Sequence, residues 1–160
     1  SVVDSFEQEL SAVFHSDKDI VHAVGYGIVL RSDDGGNTWE KKDIIGDFFR
    51  DIHFPTSSVG YAVGQSGSII KTTDAGENWK FIRNGDNIST SNKSFRSLFF
   101  IDEDHGYVVG HDGLFWRTKN GGDDWETMPD LPEVDLHNIF IRGEKGFIVG
   151  KEGKIFSFEI

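Results

Sequence analysis

The chain contains no cysteine, which removes disulfide frameworks, zinc knuckles and thiol nucleophiles together. Proline is scarce, at 3 of 160 residues, and the only methionine is Met128. No apolar run approaches the ~18 residues that a membrane-crossing helix needs. Positive charge is the minority sign: 16 Lys and Arg stand against 27 Asp and Glu, for a formal net charge of −11. That balance opposes phosphate backbones and argues against a nucleic-acid partner, while favouring solubility. The sequence opens on Ser1, so the chain is expected to be a processed or excised product whose targeting peptide has been removed.

Glycine, by contrast, is abundant at 19 residues, and aromatics reach 13%. This mixture points to many short strands joined by tight turns. An eight-residue pattern, Ser/Thr-x-Asp/Asn-x-Gly-x-x-Trp, occurs three times. Its positions are Ser32, Asp34, Gly36 and Trp39; Thr72, Asp74, Gly76 and Trp79; and Thr118, Asn120, Gly122 and Trp125. Each copy follows a short apolar run that ends in a basic residue: Arg31, Lys71 or Arg117. A short polar side chain can cap the turn backbone, Gly supplies positive φ, and Trp returns a large apolar group to the sheet.

A second repeat is in register with the first. Val24-Gly25, Val63-Gly64, Val109-Gly110 and Val149-Gly150 recur at steps of 39, 46 and 40 residues, each with an apolar segment upstream. Every unit reads as strand A, a polar loop, strand B ending in Val-Gly, a tight turn, strand C, the box hairpin and strand D. Four short strands at a period near 40 indicate one propeller blade per repeat. The predicted fold is all-β, a β-propeller of four blades at approximately 10–43, 49–83, 95–128 and 136–160. The last repeat lacks a box and a strand D, and residues 1–6 are expected to complete it. The chain can then be a closed four-bladed ring, half of an eight-bladed dimer, or an arc of a larger propeller.

The eight-residue pattern resembles the Asp-box (BNR) repeat of certain β-propellers. Gly60-Tyr61-Ala62-Val63-Gly64 followed by Lys71-Thr72-Thr73-Asp74 and Trp79 is similar to the photosystem II assembly/stability factor-like family and its non-photosynthetic bacterial relatives. Members of that family typically have more blades. The resemblance implies a non-catalytic binding scaffold for a protein or peptide, exported to the periplasm or the extracellular space. Sialidases and some glycosidases also carry Asp-boxes, so a carbohydrate-binding or glycosidase-associated module is the alternative. Only three tyrosines are present, Tyr26, Tyr61 and Tyr107. Two of them fall in strand B, which leaves little for a sialidase-type nucleophile.

No catalytic, metal or cofactor site is expected. Asp34, Asp74 and Asn120 read as turn caps, since Asn120 fills the same position without charge. The box tryptophans read as core wedges, with sugar platforms as the alternative. The candidate binding surface is the face built by D–A connections and B–C turns. Arg50, Arg96 and His137 recur as the second residue of strand A, where Ser11 stands in the first repeat, and the B–C turns add Tyr26, Gln65, His111 and Lys151. Such a set suits a partner with an acidic feature. The competing reading has Arg50 and Arg96 paired with Asp51 or Asp47. The longest insertion, residues 84–94, opens on the same face and holds sequons at Asn87 and Asn92. Either a monomer or a homodimer is expected.

Overall fold

The computed structural model of the protein describes residues 4–44, 46–85, 94–128 and 131–160. It consists of four antiparallel sheets in chain order. The first holds β1 (Leu10–Asp17), β2 (Ile20–Gly25), β3 (Ile28–Ser32) and β4 (Glu40–Lys41). The second holds β5 (Phe49–His53), β6 (Gly60–Gly64), β7 (Ile69–Thr72) and β8 (Lys80–Arg83). The third holds β9 (Phe95–Phe100), β10 (Gly106–Gly110), β11 (Phe115–Thr118) and β12 (Glu126–Thr127). The fourth has three strands, β13 (Leu136–Arg142), β14 (Lys145–Gly150) and β15 (Ile155–Glu159). Of residues 1–6, expected to complete it, 1–3 lie outside the described residues, and Phe6 packs against the first sheet with Ala23, Leu30 and Trp39.

The Val-Gly repeat marks a close approach of backbone to backbone. A Cβ on Gly25 would lie 1.9 Å from the Glu9 carbonyl oxygen, and one on Gly110 would lie 2.0 Å from that of Ser94. The residue after each of these glycines donates its N–H to the residue just before strand A. Tyr26 bonds to Glu9, Gln65 to Phe48, His111 to Ser94 and Lys151 to Asp135, all at 2.8–3.0 Å. Only glycine permits this approach, and that requirement is what the sequence repeats.

Sheets stack front to back through three apolar interfaces. Val24, Val29 and Phe14 of the first sheet pack on Phe49, Ile52, Ala62, Ile70 and Trp79 of the second. Tyr61, Val63 and Ile69 pack on Phe95, Leu98, Val108 and Trp125 of the third. Tyr107, Val109 and Phe115 pack on Leu136, Ile139, Ile148 and Phe156 of the fourth. Strands β6 and β10 are therefore buried on both faces, which explains their unbroken apolar sequence. Strand β14 instead alternates buried and exposed residues, because among the described residues nothing packs on its forward side.

The innermost strands pack in the series β1, β5, β9, β13, and among the described residues no packing of comparable extent joins β13 back to β1. The chain is an open arc. The closed four-bladed ring is not formed: Val13 at one end is 68% exposed and Ile155 at the other is 72% exposed.

Candidate functional site

Each strand A carries a β-bulge at its start. Pairing with strand B skips from Leu10 to Ala12, from Phe49 to Asp51, from Phe95 to Ser97 and from Leu136 to Asn138. The skipped residues are Ser11, Arg50, Arg96 and His137, the same four that the repeat alignment placed at one position. A bulged residue leaves the ladder and has its side chain re-aimed. Beside it stands the B–C turn residue, held by the N–H bond to the strand A entry. The fold thus presents one bulge residue and one turn residue per sheet on a common face: Ser11 with Tyr26, Arg50 with Gln65, Arg96 with His111, and His137 with Lys151.

The four pairs differ in their contacts. Arg50 donates from Nη2 to Gln65 Oε1, and its guanidinium lies 3.8 Å over the Phe48 ring. Phe48 meets Tyr26 edge to face at 5.6 Å, so Tyr26, Phe48, Arg50 and Gln65 make one patch across the first two sheets. In the third sheet Arg96 Nε–H donates to His111 Nε2 at 2.8 Å. His111 Nδ1 then carries the proton and faces Asp135 Oδ1 at 3.2 Å. Asp135 also accepts the Asp112 N–H, and that bond leads the causes that hold its carboxyl below the usual range. His137 and Lys151 are exposed. Among the described residues, no hydrogen bond links Arg50, Arg96 and His137 to one another.

The competing arrangement, with both arginines held by Asp47 or Asp51, does not occur. Asp47 is committed to the N–H groups of Phe48, Ser66 and Ser68 in the neighbouring turn. Asp51 faces the next sheet, where it accepts from Ser97 Oγ at 2.6 Å and the Leu98 N–H at 3.1 Å. Among the described residues, neither Arg50 nor Arg96 lies within ion-pair distance of a carboxylate. Three residues of this face escaped the sequence reading: Phe48, Asp135 and Arg83. Arg83 donates to the Gly67 carbonyl and lies 5.3 Å over the Phe95 ring. Phe48 and Asp135 sit just before strand A, which is the only signal that could have found them. Most of the insertion 84–94, including both sequons, lies outside the described residues.

The boxes are built as internal caps. Asp34 Oδ1 accepts the N–H groups of Asn37 and Thr38 at 2.9 Å each, and the Ser32 hydroxyl at 2.8 Å. These bonds, led by that from Thr38, lower its pKa to about 2. Ser32 Oγ in turn accepts the Gly36 N–H at 2.9 Å. Asp74 repeats the pattern with Thr72 and Asn78, and Asn120 Oδ1 repeats it with Thr118 and Asp124. Gly76 and Gly122 donate to Thr72 and Thr118 as Gly36 does to Ser32. Trp39, Trp79 and Trp125 each return an indole N–H to the box glycine carbonyl at 3.1 Å. Trp79 and Trp125 face neighbouring sheets, and Trp39 packs with Phe6, Ala23 and Leu30 on the outer side of the first. The basic residues before the boxes have their own task. Arg31 donates to the Ala75 carbonyl at 2.9 Å and Lys71 to that of Gly121 at 3.2 Å, each tying one sheet to the next box.

Comparison with known proteins places this geometry. Residues 44–135, more than half of the chain, match the family described as Photosynthesis system II assembly factor YCF48. The chain is 35% identical over 65 residues to the chloroplastic photosystem II stability/assembly factor HCF136 of Cyanidioschyzon merolae (strain NIES-3377 / 10D). That match takes in 39% of this chain and 15% of the relative. Among solved structures, YCF48 bound to D1 peptide superposes with a TM-score of 0.76 at 21% identity, over 95% of this chain and 51% of that one. The computationally designed Ika4 protein superposes with a TM-score of 0.77 at 10% identity, over 99% of this chain and 96% of that one. The chain thus spans about half the length of the YCF48 structure. The expectation of a periplasmic or extracellular protein is overturned, because the relative carrying the resemblance is chloroplastic. Composition holds no compartment signal of its own, so the expectation had rested on the resemblance alone. Among the described residues, no helix is long and apolar enough to cross a membrane.

Proposed function

The chain belongs to the Photosynthesis system II assembly factor YCF48 family, and on that premise we propose that it is a non-catalytic scaffold binding a protein or peptide segment on its D–A/B–C face. One observation carries this reading. Bulge and turn together hold Arg50 and Arg96 on that face, each hydrogen-bonded to its turn residue, and among the described residues neither is paired with a carboxylate. A guanidinium so placed retains donors for an incoming anion. The relative YCF48 takes a D1 peptide, and a peptide ligand is proposed here too, with an acidic feature set against the arginines. Tyr26 and Phe48 offer apolar contact at one end of the row.

The test uses the double variant Arg50→Gln/Arg96→Gln with labelled peptides: D1 peptide, an acidic peptide and a neutral one of equal length. Charge-assisted hydrogen bonds contribute about 1.5–3 kcal/mol each. Wild-type protein should therefore bind the acidic ligand at least about tenfold more tightly than the variant. Salt should weaken the wild-type complex. The melting temperature should fall by no more than about 4 °C, the shift expected for roughly 1 kcal/mol. Unaltered affinity in a folded double variant would remove the arginines from the site.

A further inference from the structure

Two of the four bulge–turn pairs join an arginine to its turn residue, and the two acceptors differ in chemistry. Arg50 Nη2 donates to the Gln65 amide oxygen, a group that does not titrate. Arg96 Nε–H donates to His111 Nε2 at 2.8 Å, and an imidazole nitrogen accepts only while it is unprotonated. Histidine is the side chain whose charge ordinarily changes between about pH 5 and 8.

The tautomer that makes this bond possible is set from the fourth sheet. Asp135 Oδ1 faces His111 Nδ1 at 3.2 Å, so the single proton of the neutral ring sits on Nδ1 and Nε2 is left as the acceptor. Asp135 is itself fixed: its carboxylate accepts the Asp112 N–H, and its carbonyl oxygen accepts the Lys151 N–H at 2.8 Å. The Asp112 bond leads the causes that hold its carboxyl below the usual range, with the charges of His111, Lys151 and Arg96 acting in the same direction. That carboxyl is therefore ionised above about pH 5. The other charged groups around the ring are Arg96 from β9, Asp112 from the turn itself, Glu133 beside Gly113, and His137 and Lys151 from the fourth sheet. From the second sheet, Arg83 lies over Phe95, the residue before Arg96. Among the described residues, Asp135 is the only carboxylate within ion-pair distance of His111.

We propose, building on the reading of this face as an anion-binding surface, that His111 is a proton-operated latch on Arg96, so that the face takes up a proton together with its acidic ligand and holds that ligand more tightly in acid. A proton added at Nε2 sets donor against donor, and the Arg96 bond must break. The imidazolium keeps its Nδ1–H on Asp135 as a charge-assisted pair. Arg96 Nε–H is then free for a ligand oxygen, and the face has gained one positive charge beside it. By linkage, the ligand raises proton uptake as much as the proton raises ligand affinity. Gln65 cannot act on Arg50 in this way, so the latch belongs to the third sheet alone.

Labelled hexaglutamate peptide, titrated into the whole chain from about pH 8 to about pH 5.5, should bind about tenfold more tightly at the acid end, the factor for one charge-assisted hydrogen bond. His111→Gln copies the Arg50–Gln65 pair into the third sheet and should respond by no more than about threefold, the share of the exposed His137. Both proteins carry His22, His53 and His137 and meet the same peptide, so the difference between them isolates the latch. Circular dichroism at each pH restricts the comparison to folded protein. An equal pH response in the two proteins would overturn the proposal. Imidazole and guanidinium nitrogen NMR reads the latch without ligand. Near pH 8 the ring should carry its proton on Nδ1, and the Arg96 Nε signal should move with His111 Nε2 as pH falls. A ring protonated on Nε2 near pH 8, or an Arg96 signal that stays still while Nε2 titrates, would refute the latch whatever the peptide does. A latch that opens in these spectra while no peptide binds at any pH would instead refute the anion-binding reading, and the coupling with it.

Discussion

Trp79→Ala is expected to destabilise the protein by about 3–5 kcal/mol, the range for truncating a buried aromatic. Trp79 is 9% exposed and stands in the first inter-sheet cluster with Phe49, Phe54 and Ile70. Its ring meets Phe54 edge to face at 5.8 Å and His22 at 6.4 Å. Its indole N–H closes the second box on the Gly76 carbonyl. Truncation would open a cavity between two sheets and strip the box of its anchor at once. Urea unfolding followed by far-ultraviolet circular dichroism measures the loss, and a change below about 1 kcal/mol would mean that the ring is not a wedge between sheets.

Acid should weaken the fold through its buried histidines. His22 is fully buried, accepts or donates at Nε2 with Ser16 Oγ at 3.0 Å, and stacks on Phe54 at 4.2 Å, while among the described residues its Nδ1 has no partner. Burial, reinforced by the charges of Arg31 and Lys42 and opposed by Glu77, lowers its pKa from 6.5 to about 4. The unfolded chain therefore binds a proton that the folded chain refuses, and the stability His22 gives is full above pH 6.5 and lost as pH falls toward 4. At 1.36 kcal/mol per pH unit the loss is about 3 kcal/mol. His53, between Phe14 and Phe99, is likewise lowered to about 4 by burial. His22→Phe should thus leave the fold intact at neutral pH and remove roughly half of the destabilisation between pH 6.5 and 4. The stability that the Asp34 cap gives is full above the usual carboxylate range and is lost only as pH falls toward 2. A variant whose stability falls with acid as steeply as the wild type would contradict the assignment to His22.

Local chemistry made the fold readable. The box repeats because one oxygen on Asp34, Asp74 or Asn120 must reach the same turn N–H groups. Val-Gly repeats because a Cβ at Gly25 or Gly110 would strike backbone. The bulge was legible only as a position: Arg50 and Arg96 align in the repeat, but that they leave the ladder depends on an offset in strand pairing which no residue type announces. Asp135 was hidden for a related reason, since it serves His111 from the neighbouring sheet. The open arc was legible only as one of three alternatives. Closure depends on the angle between sheets, and the same front and back residues would suit a ring of four or a longer one. His22 shows the opposite case, a residue in a position otherwise held by Tyr61, Tyr107 and Phe147, whose departure from the repeat marks its pH response.

The proposed binding face is tested most directly by an amide chemical-shift titration of the protein with an acidic peptide. The largest shifts should fall on residues 48–50, 65–67, 94–96 and 111–113, the bulge and turn segments that hold Arg50, Gln65, Arg96 and His111 side by side. Shifts confined to the box hairpins at 33–38, 73–78 and 119–124, with the bulge and turn amides unmoved, would contradict the account.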